Sequence, residues 1–173
     1  MIESAAPTRN GAHWHAVHTR SRHEKRVDGL LAERGVECFL PLCRVHSQWK
    51  DRKKWVEKPL FPGYLFVRIQ SEEIPVVRGT RGVAGLLGPE PLKPSIVQDA
   101  EVENIRRLVT SEAKVDPYPY LKPGQLVCIR RGPLQGVEGT IIRKANRCLL
   151  VISVNLLGRS VAAEVSAEDV QGL

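Results

Sequence analysis

Nothing in this 173-residue chain approaches the roughly 20 consecutive apolar residues that cross a bilayer, so no membrane-spanning helix and no membrane partner are expected. The first ten residues are mostly polar or small and no apolar stretch follows, which removes the expectation of a secretory leader. Cysteine is scarce: Cys38, Cys43, Cys128 and Cys148, without a C-x-x-C pair. Cys38, Cys128 and Cys148 lie among strand-like apolar residues and fit buried free thiols in a reducing compartment, so a cytoplasmic location is expected. Cys38, Cys43 and His46 on an extended segment make a poor tetrahedral set, and no metal is expected. Also missing are a phosphate-binding loop, a Gly-x-Ser-x-Gly elbow, a supported Ser/His/Asp arrangement and paired carboxylates. The chain is expected neither to be an enzyme nor to carry a cofactor.

Acidic residues are outnumbered, 19 against 26 Lys and Arg, giving a formal charge of +7 and a pI of about 9.5. The excess is local. Residues 9–68 carry 13 Lys/Arg against 6 Asp/Glu, residues 69–120 carry 6 against 8, and residues 121–173 carry 7 against 4. A basic first third favours contact with nucleic acid or an acidic protein surface; ordinary solubility charge is the alternative.

Residues 1–12 read as a disordered tail. Trp14 to Thr19 alternates as a strand does. Ser21-Arg22-His23-Glu24 has capping-box spacing, Val27, Leu30 and Leu31 follow at helical intervals, and Gly35 supplies a stop, predicting a helix over 22–34. Val36 to Val45 reads as a strand that Pro41 confines to an edge or irregular position. Residues 46–58, basic around Trp49 and Trp55, read as a charged hairpin or loop. Leu60 to Ile69 is the most apolar run and predicts a central strand entered through a Pro62-Gly63 turn. A short helix after Ser71 is limited by Pro75, and Val83 to Leu87 reads as a short strand. A second capping-box spacing, Ser95 to Gln98, opens a helix reaching about Thr110 through Val102, Ile105, Leu108 and Val109.

Asp116-Pro117-Tyr118-Pro119-Tyr120 alternates prolines without apolar periodicity and reads as a semi-extended linker. Beyond it, Leu126/Cys128, Val127/Ile129, Val137, Ile141 and Ile142 form short alternating runs between Gly124, Gly132, Gly136 and Gly139. That pattern predicts short strands bent into a small barrel, which has little room for a catalytic cleft. The expected class is α+β, with a tail at 1–12, a first domain at 13–111, a linker at 112–121 and a barrel at 122–173.

These segments carry a resemblance. Trp14-His15-Ala16-Val17-His18-Thr19, Leu60-Phe61-Pro62-Gly63-Tyr64-Leu65-Phe66-Val67 and Thr80-Arg81-Gly82-Val83 are followed by Gly132-Pro133-Leu134-Gln135-Gly136-Val137-Glu138-Gly139 and Val154-Asn155-Leu156-Leu157-Gly158-Arg159. In order and spacing they resemble NusG-type transcription elongation factors. The resemblance implies an N-terminal NusG domain, an antiparallel sheet with flanking helices, linked to an SH3-like KOW β-barrel. Gln48 to Trp55 followed by Glu57 to Pro62 resembles the specialised UpxY-type antiterminators, near the RfaH-like paralogues. One departure is Glu73-Ile74-Pro75-Val76, where RfaH has a polar His-Thr-Thr-Thr stretch touching the polymerase gate loop. The barrel keeps its strand-like alternation, so a helical alternative state like that of RfaH is not indicated. The implied function is binding of RNA polymerase to promote processive elongation and antitermination. The alternatives are a housekeeping role in termination and antitermination with Rho, or RNA and ribosome binding through the KOW barrel.

By the same resemblance, Phe61 and Tyr64 dock on the clamp helices of the largest polymerase subunit; the alternative is that both rings fill the core, as Leu65, Phe66 and Val67 are expected to. Trp14 fits either the core or the patch edge. Arg20, Arg22, His23, Lys25 and Arg26 crowd the first helix start, where family paralogues meet non-template DNA in the transcription bubble; a solvated face is the alternative. Lys50, Arg52, Lys53 and Lys54, interleaved with Trp49 and Trp55, have the composition of a single-strand-binding loop or of an exposed hairpin with solvated lysines. His13, His15 and His18 lack carboxylate partners. In the barrel, Leu156, Leu157 and Arg159 align with the loop that meets Rho or a small ribosomal-subunit protein, and Leu134 is a further apolar candidate. A monomer is expected.

Overall fold

Alternation over His13–Thr19 builds β1, which lies inside the first sheet. The structure, a computed structural model, describes residues 11–49, 52–111, 115–118, 126–144, 147–166 and 169–172. The expected tail therefore falls outside the described residues except for Gly11 and Ala12, and Ala12 is already buried. β1 pairs antiparallel with β5 (Tyr64–Ile69) on one side and with β6 (Val83–Leu86) and β7 (Ile96–Val97) on the other. β2 (Glu37–Phe39) caps the far side of β5, so the most apolar run is an interior strand, as its composition predicts.

The single strand expected over 36–45 breaks at Leu40-Pro41. Proline lacks the N–H that a continuing ladder needs. β3 (Leu42–Trp49) and β4 (Arg52–Pro59) instead form a separate two-stranded hairpin, in register from Leu42↔Pro59 to Trp49↔Arg52. Its base is tied by the Leu60 N–H donating to the Pro41 carbonyl at 2.8 Å.

Neither predicted capping box forms. The first helix, α1, spans Glu24–Glu33 rather than 22–34, because Arg22 takes a left-handed φ of 61° and cannot continue a helix. His23 is its N-cap and makes no side-chain cap bond. The Ser95–Gln98 segment is partly spent on β7, and α3 (Asp99–Thr110) starts after an uncapped Gln98. A reciprocal box forms elsewhere, between Gln70 and Glu73, over the 3-10 turn Ser71–Glu73. The short α2 (Ile74–Arg78) follows with Pro75 in its first turn, the one place where a missing N–H costs nothing.

The first sheet buries both faces. Val27 and Leu31 of α1 pack with Val17, Leu65, Val67 and Ile69. On the other face, Trp14, Ala16 and Phe66 lie in one cluster with Val102, Ile105 and Leu108 of α3. Helical spacing thus gives α3 a single apolar stripe for the sheet.

The second sheet follows the path β13-β9-β10-β11-β12-β8. Its strands are β8 (Val115–Tyr118), β9 (Leu126–Ile129), β10 (Glu138–Lys144), β11 (Arg147–Val154), β12 (Arg159–Val165) and β13 (Val170–Gly172). Val127, Ile129, Val137, Leu150, Ile152, Val154, Val161 and Ala163 fill its interior. β8 comes from the segment expected to be linker: it adds to the edge of β12, from Ala163↔Val115 to Ser160↔Tyr118. The barrel interior and the α3 side of the first sheet join in one apolar cluster.

Candidate functional site

The turn after Leu60 is braced by groups far away in sequence. Gly63 has a φ of 84°, conformational space that glycine enters without strain. Its N–H donates to Glu24 Oε1 at 2.8 Å, and its carbonyl accepts the Thr19 N–H at 2.9 Å. Glu24 is buried, so the residue read as a capping-box member is instead the acceptor that fixes this turn to α1. A buried charge persists only with such a partner. Inside the turn the Tyr64 N–H returns to the Phe61 carbonyl at 3.0 Å.

The bracing separates the two aromatics. Tyr64 is half-buried and stacks on His18, ring centroids 5.1 Å apart at 28°. Phe61, expected as a surface anchor, is only 1% exposed and lies edge-on to Phe66, centroids 6.3 Å apart. Its ring fills the core, packed with Phe66 in the cluster that also holds Trp14 and Ala16. Trp14 is also core, with the Arg106 guanidinium 5.8 Å above its ring and 5.2 Å from that of Phe39.

Beside the turn is a basic edge. Arg20, Arg22, Lys25 and Arg26 are exposed, and His23 is half-buried with Nδ1 2.9 Å from the Ser21 carbonyl. The Arg20 N–H donates to the Gly82 carbonyl at 2.8 Å, which brings the exposed Arg81 to the same edge. Sequence reading used Arg81 only as part of a motif; its proximity to Arg20 depends on the β1–β6 pairing. Glu57 on β4 lies 3.9 Å from both Lys25 and Arg44, joining the hairpin to α1. Lys50 and the side chains of Arg52, Lys53 and Lys54 fall outside the described residues, whereas Trp55 is 60% exposed.

His15 and Cys38 are structural. His15 is buried with Nδ1 3.0 Å from the Ser95 carbonyl; burial lowers its pKa, against the opposing effect of that bond. Burial, with Asp28 and Glu37 nearby, pushes the Cys38 thiol up to about 12, which leaves it unreactive. Cys38 and Cys128 are half-buried rather than fully buried, and the Cys148 side chain lies outside the described set.

In the barrel, Leu156 and Leu157 are half-buried and Arg159 is exposed. Leu134, expected as a contact residue, is 4% exposed within the core cluster. The tight turn that ends with the Val137 N–H on the Leu134 carbonyl turns its side chain into that cluster. The Arg159 guanidinium lies 5.2 Å from the Tyr64 ring centroid, so candidates from opposite ends of the chain meet. Two contacts from α3 flank this meeting. The Asn104 side-chain amide bonds both the carbonyl (3.3 Å) and the N–H (3.4 Å) of Glu138. Arg107 lies so close to Gly136 that a Cβ there would be 2.7 Å from its guanidinium. The chemistry on offer is recognition: one fixed aromatic, a cationic edge and a second, partly apolar loop.

Known proteins are similar to this chain along nearly its whole length. A family model described as "Transcription termination factor nusG" covers residues 12–106. The transcription termination/antitermination protein NusG of Pseudomonas aeruginosa is 29% identical, over 91% of this chain and 97% of that protein. Its counterpart in Deinococcus radiodurans is 30% identical, again over 91% of this chain and 97% of that protein. A solved structure of Thermotoga maritima NusG, described by its domain interaction, superposes with a TM-score of 0.54 at 23% identity, covering 94% of this chain and 97% of that one, and supports the fold. With a family model matching more than half of its length and a relative 30% identical over 91% of it, the chain belongs to the NusG family of transcription factors.

Proposed function

We propose that this chain binds RNA polymerase at the clamp helices of the largest subunit through its 60–64 turn, and that it promotes processive elongation and antitermination as a specialised member of the family. The observation that carries this reading is the bracing of Gly63 by Glu24 and Thr19, which holds Tyr64 half-exposed in one position. A pre-positioned aromatic loses little entropy on docking and suits an apolar helix pair. The adjacent edge of Arg20, Arg22, Lys25 and Arg81 supplies cations for the non-template strand in the bubble. Leu156, Leu157 and Arg159 offer the barrel a second protein, Rho or a small ribosomal-subunit protein. The chain works in the cytoplasm as a monomeric binding protein, without catalysis of its own. Docking favours the closed clamp only to the extent that it binds that state more tightly.

The discriminating variant is Tyr64→Ala, since Phe61→Ala would also empty core volume. Co-elution of the full chain with polymerase should fall at least tenfold while the circular dichroism spectrum is unchanged. Undiminished co-elution removes Tyr64 from the interface. Housekeeping action with Rho predicts occupancy on all transcribed genes rather than a few loci. Binding to ribosomal or other RNA through the basic face predicts an affinity that collapses with added salt, which an apolar dock resists.

A further inference from the structure

Arg81 reaches the basic edge on the turn between α2 and β6, and a side chain that the proposed surface does not use fixes that turn. We infer that Arg34 is a positioning residue for the edge: through the Thr80 hydroxyl it holds the 80–82 turn on α1, so that Arg81 stands beside Arg20 for a single nucleic-acid strand. The inference rests on the strand-binding part of the function proposed above.

Arg34 is the C-cap of α1, and its guanidinium turns back onto the protein. Its Nη1 donates to Thr80 Oγ1 at 3.0 Å and to the Val76 carbonyl at 3.4 Å. Thr80 is only 2% exposed, and its own hydroxyl donates to the same Val76 carbonyl at 2.9 Å. The hydroxyl thus gives its proton to α2 and a lone pair to Arg34. A buried hydroxyl satisfied in both directions holds its segment in one place, and a charged donor strengthens the hold. Two backbone bonds complete the turn, from the Thr80 N–H to the Val77 carbonyl and from the Val83 N–H to the Thr80 carbonyl, both 3.1 Å.

The other end of the turn is held by close packing. Gly82 is buried with a φ of 103°, so near α1 that a Cβ there would lie 2.9 Å from Val27 Cγ2 and 3.2 Å from His23 Cδ2. Its carbonyl accepts the Arg20 N–H. Between the two clamps, Arg81 is exposed while Thr80 and Gly82 are buried. Without the Thr80 clamp the turn pivots on a glycine, the residue with the widest backbone freedom, and the Arg81 guanidinium loses its fixed spacing from Arg20. Cations already in place lose less entropy when a strand binds.

The test uses the full chain and a fluorescent oligo-thymidine of about 15 nucleotides, read by anisotropy over a salt series. Arg81→Ala sets the reference, weakening binding and making the salt slope shallower by about one. Thr80→Val keeps every charge, yet it and Arg34→Gln should each weaken binding about threefold and flatten the slope in the same way. Thr80→Ser should bind as the wild type does. In an Arg81→Ala background neither Thr80→Val nor Arg34→Gln should weaken binding further. Amide exchange at Arg20 should quicken in Thr80→Val while β5 stays protected. Wild-type binding by Thr80→Val overturns the inference, and so does unchanged exchange at Arg20. A loss on Arg34→Gln that persists without Arg81 also overturns it, since Arg34 would then meet the strand itself, as does lost protection in β5, which would make Thr80 a general support. If Arg81→Ala changes neither affinity nor slope, the strand-binding reading fails and takes the inference with it. If Arg81→Ala weakens binding and Thr80→Val does not, the positioning role alone falls.

Discussion

The 60–64 turn and the 155–159 loop are both short, and both were expected to meet partners, yet they are held differently. The turn is closed by groups from elsewhere: the Thr19 N–H on one side, the buried Glu24 carboxylate on the other. The loop is closed locally, with Ser153 Oγ and Ser160 Oγ 2.7 Å apart across its base and two half-buried leucines above. Long-range bracing makes a rigid anchor that cannot be altered without loss of stability. Local closure makes the loop's shape depend on few distant groups, which suits a module with more than one partner.

Substitutions can break or sharpen that contrast. The largest effect is expected from Phe61→Ala, which should lower unfolding free energy by about 3–5 kcal/mol, against about 1 kcal/mol for the half-buried Leu157→Ala. Urea titration of both checks it, and equal losses would end the distinction. Next is Glu24→Ala, expected to cost about 1–3 kcal/mol by leaving the Gly63 N–H without its acceptor. Amide exchange at Gly63 should accelerate while that of β11 does not. Smallest is a pH effect at His15. Its folded pKa lies below the ordinary 6.5, so the unfolded chain binds the proton more readily. Stability should be level above that value and fall as pH drops from 6.5 through the folded pKa. His15→Gln should flatten that limb, and the barrel strands should show no such dependence.

Much of the fold was legible because it follows local rules. The alternation of β1, the interior placement of β5, the apolar stripe of α3 and the glycine-punctuated barrel strands depend on near neighbours and on period. The misreadings share a cause. Ser21–Glu24 and Ser95–Gln98 had the right spacing for caps, but Glu24 was claimed by Gly63 and Ile96-Val97 by β1. Tertiary partners outbid a local hydrogen bond worth about 1 kcal/mol. Phe61 and Leu134 were read as contacts because a turn sequence does not say which of its side chains points inward. Arg81 was passed over because only strand pairing brings it to Arg20.

The sequence by itself determined most of the strands and helices, the family, and the basic character of the first third, since periodicity, motif order and charge are properties of the chain. Only the tertiary structure decided that Tyr64 stays half-exposed while Phe61 is buried, that Glu24 serves a turn, and that residues 115–118 pair with β12. Each of those depends on which of several competing partners a group finds, and that choice is settled by packing across the whole molecule.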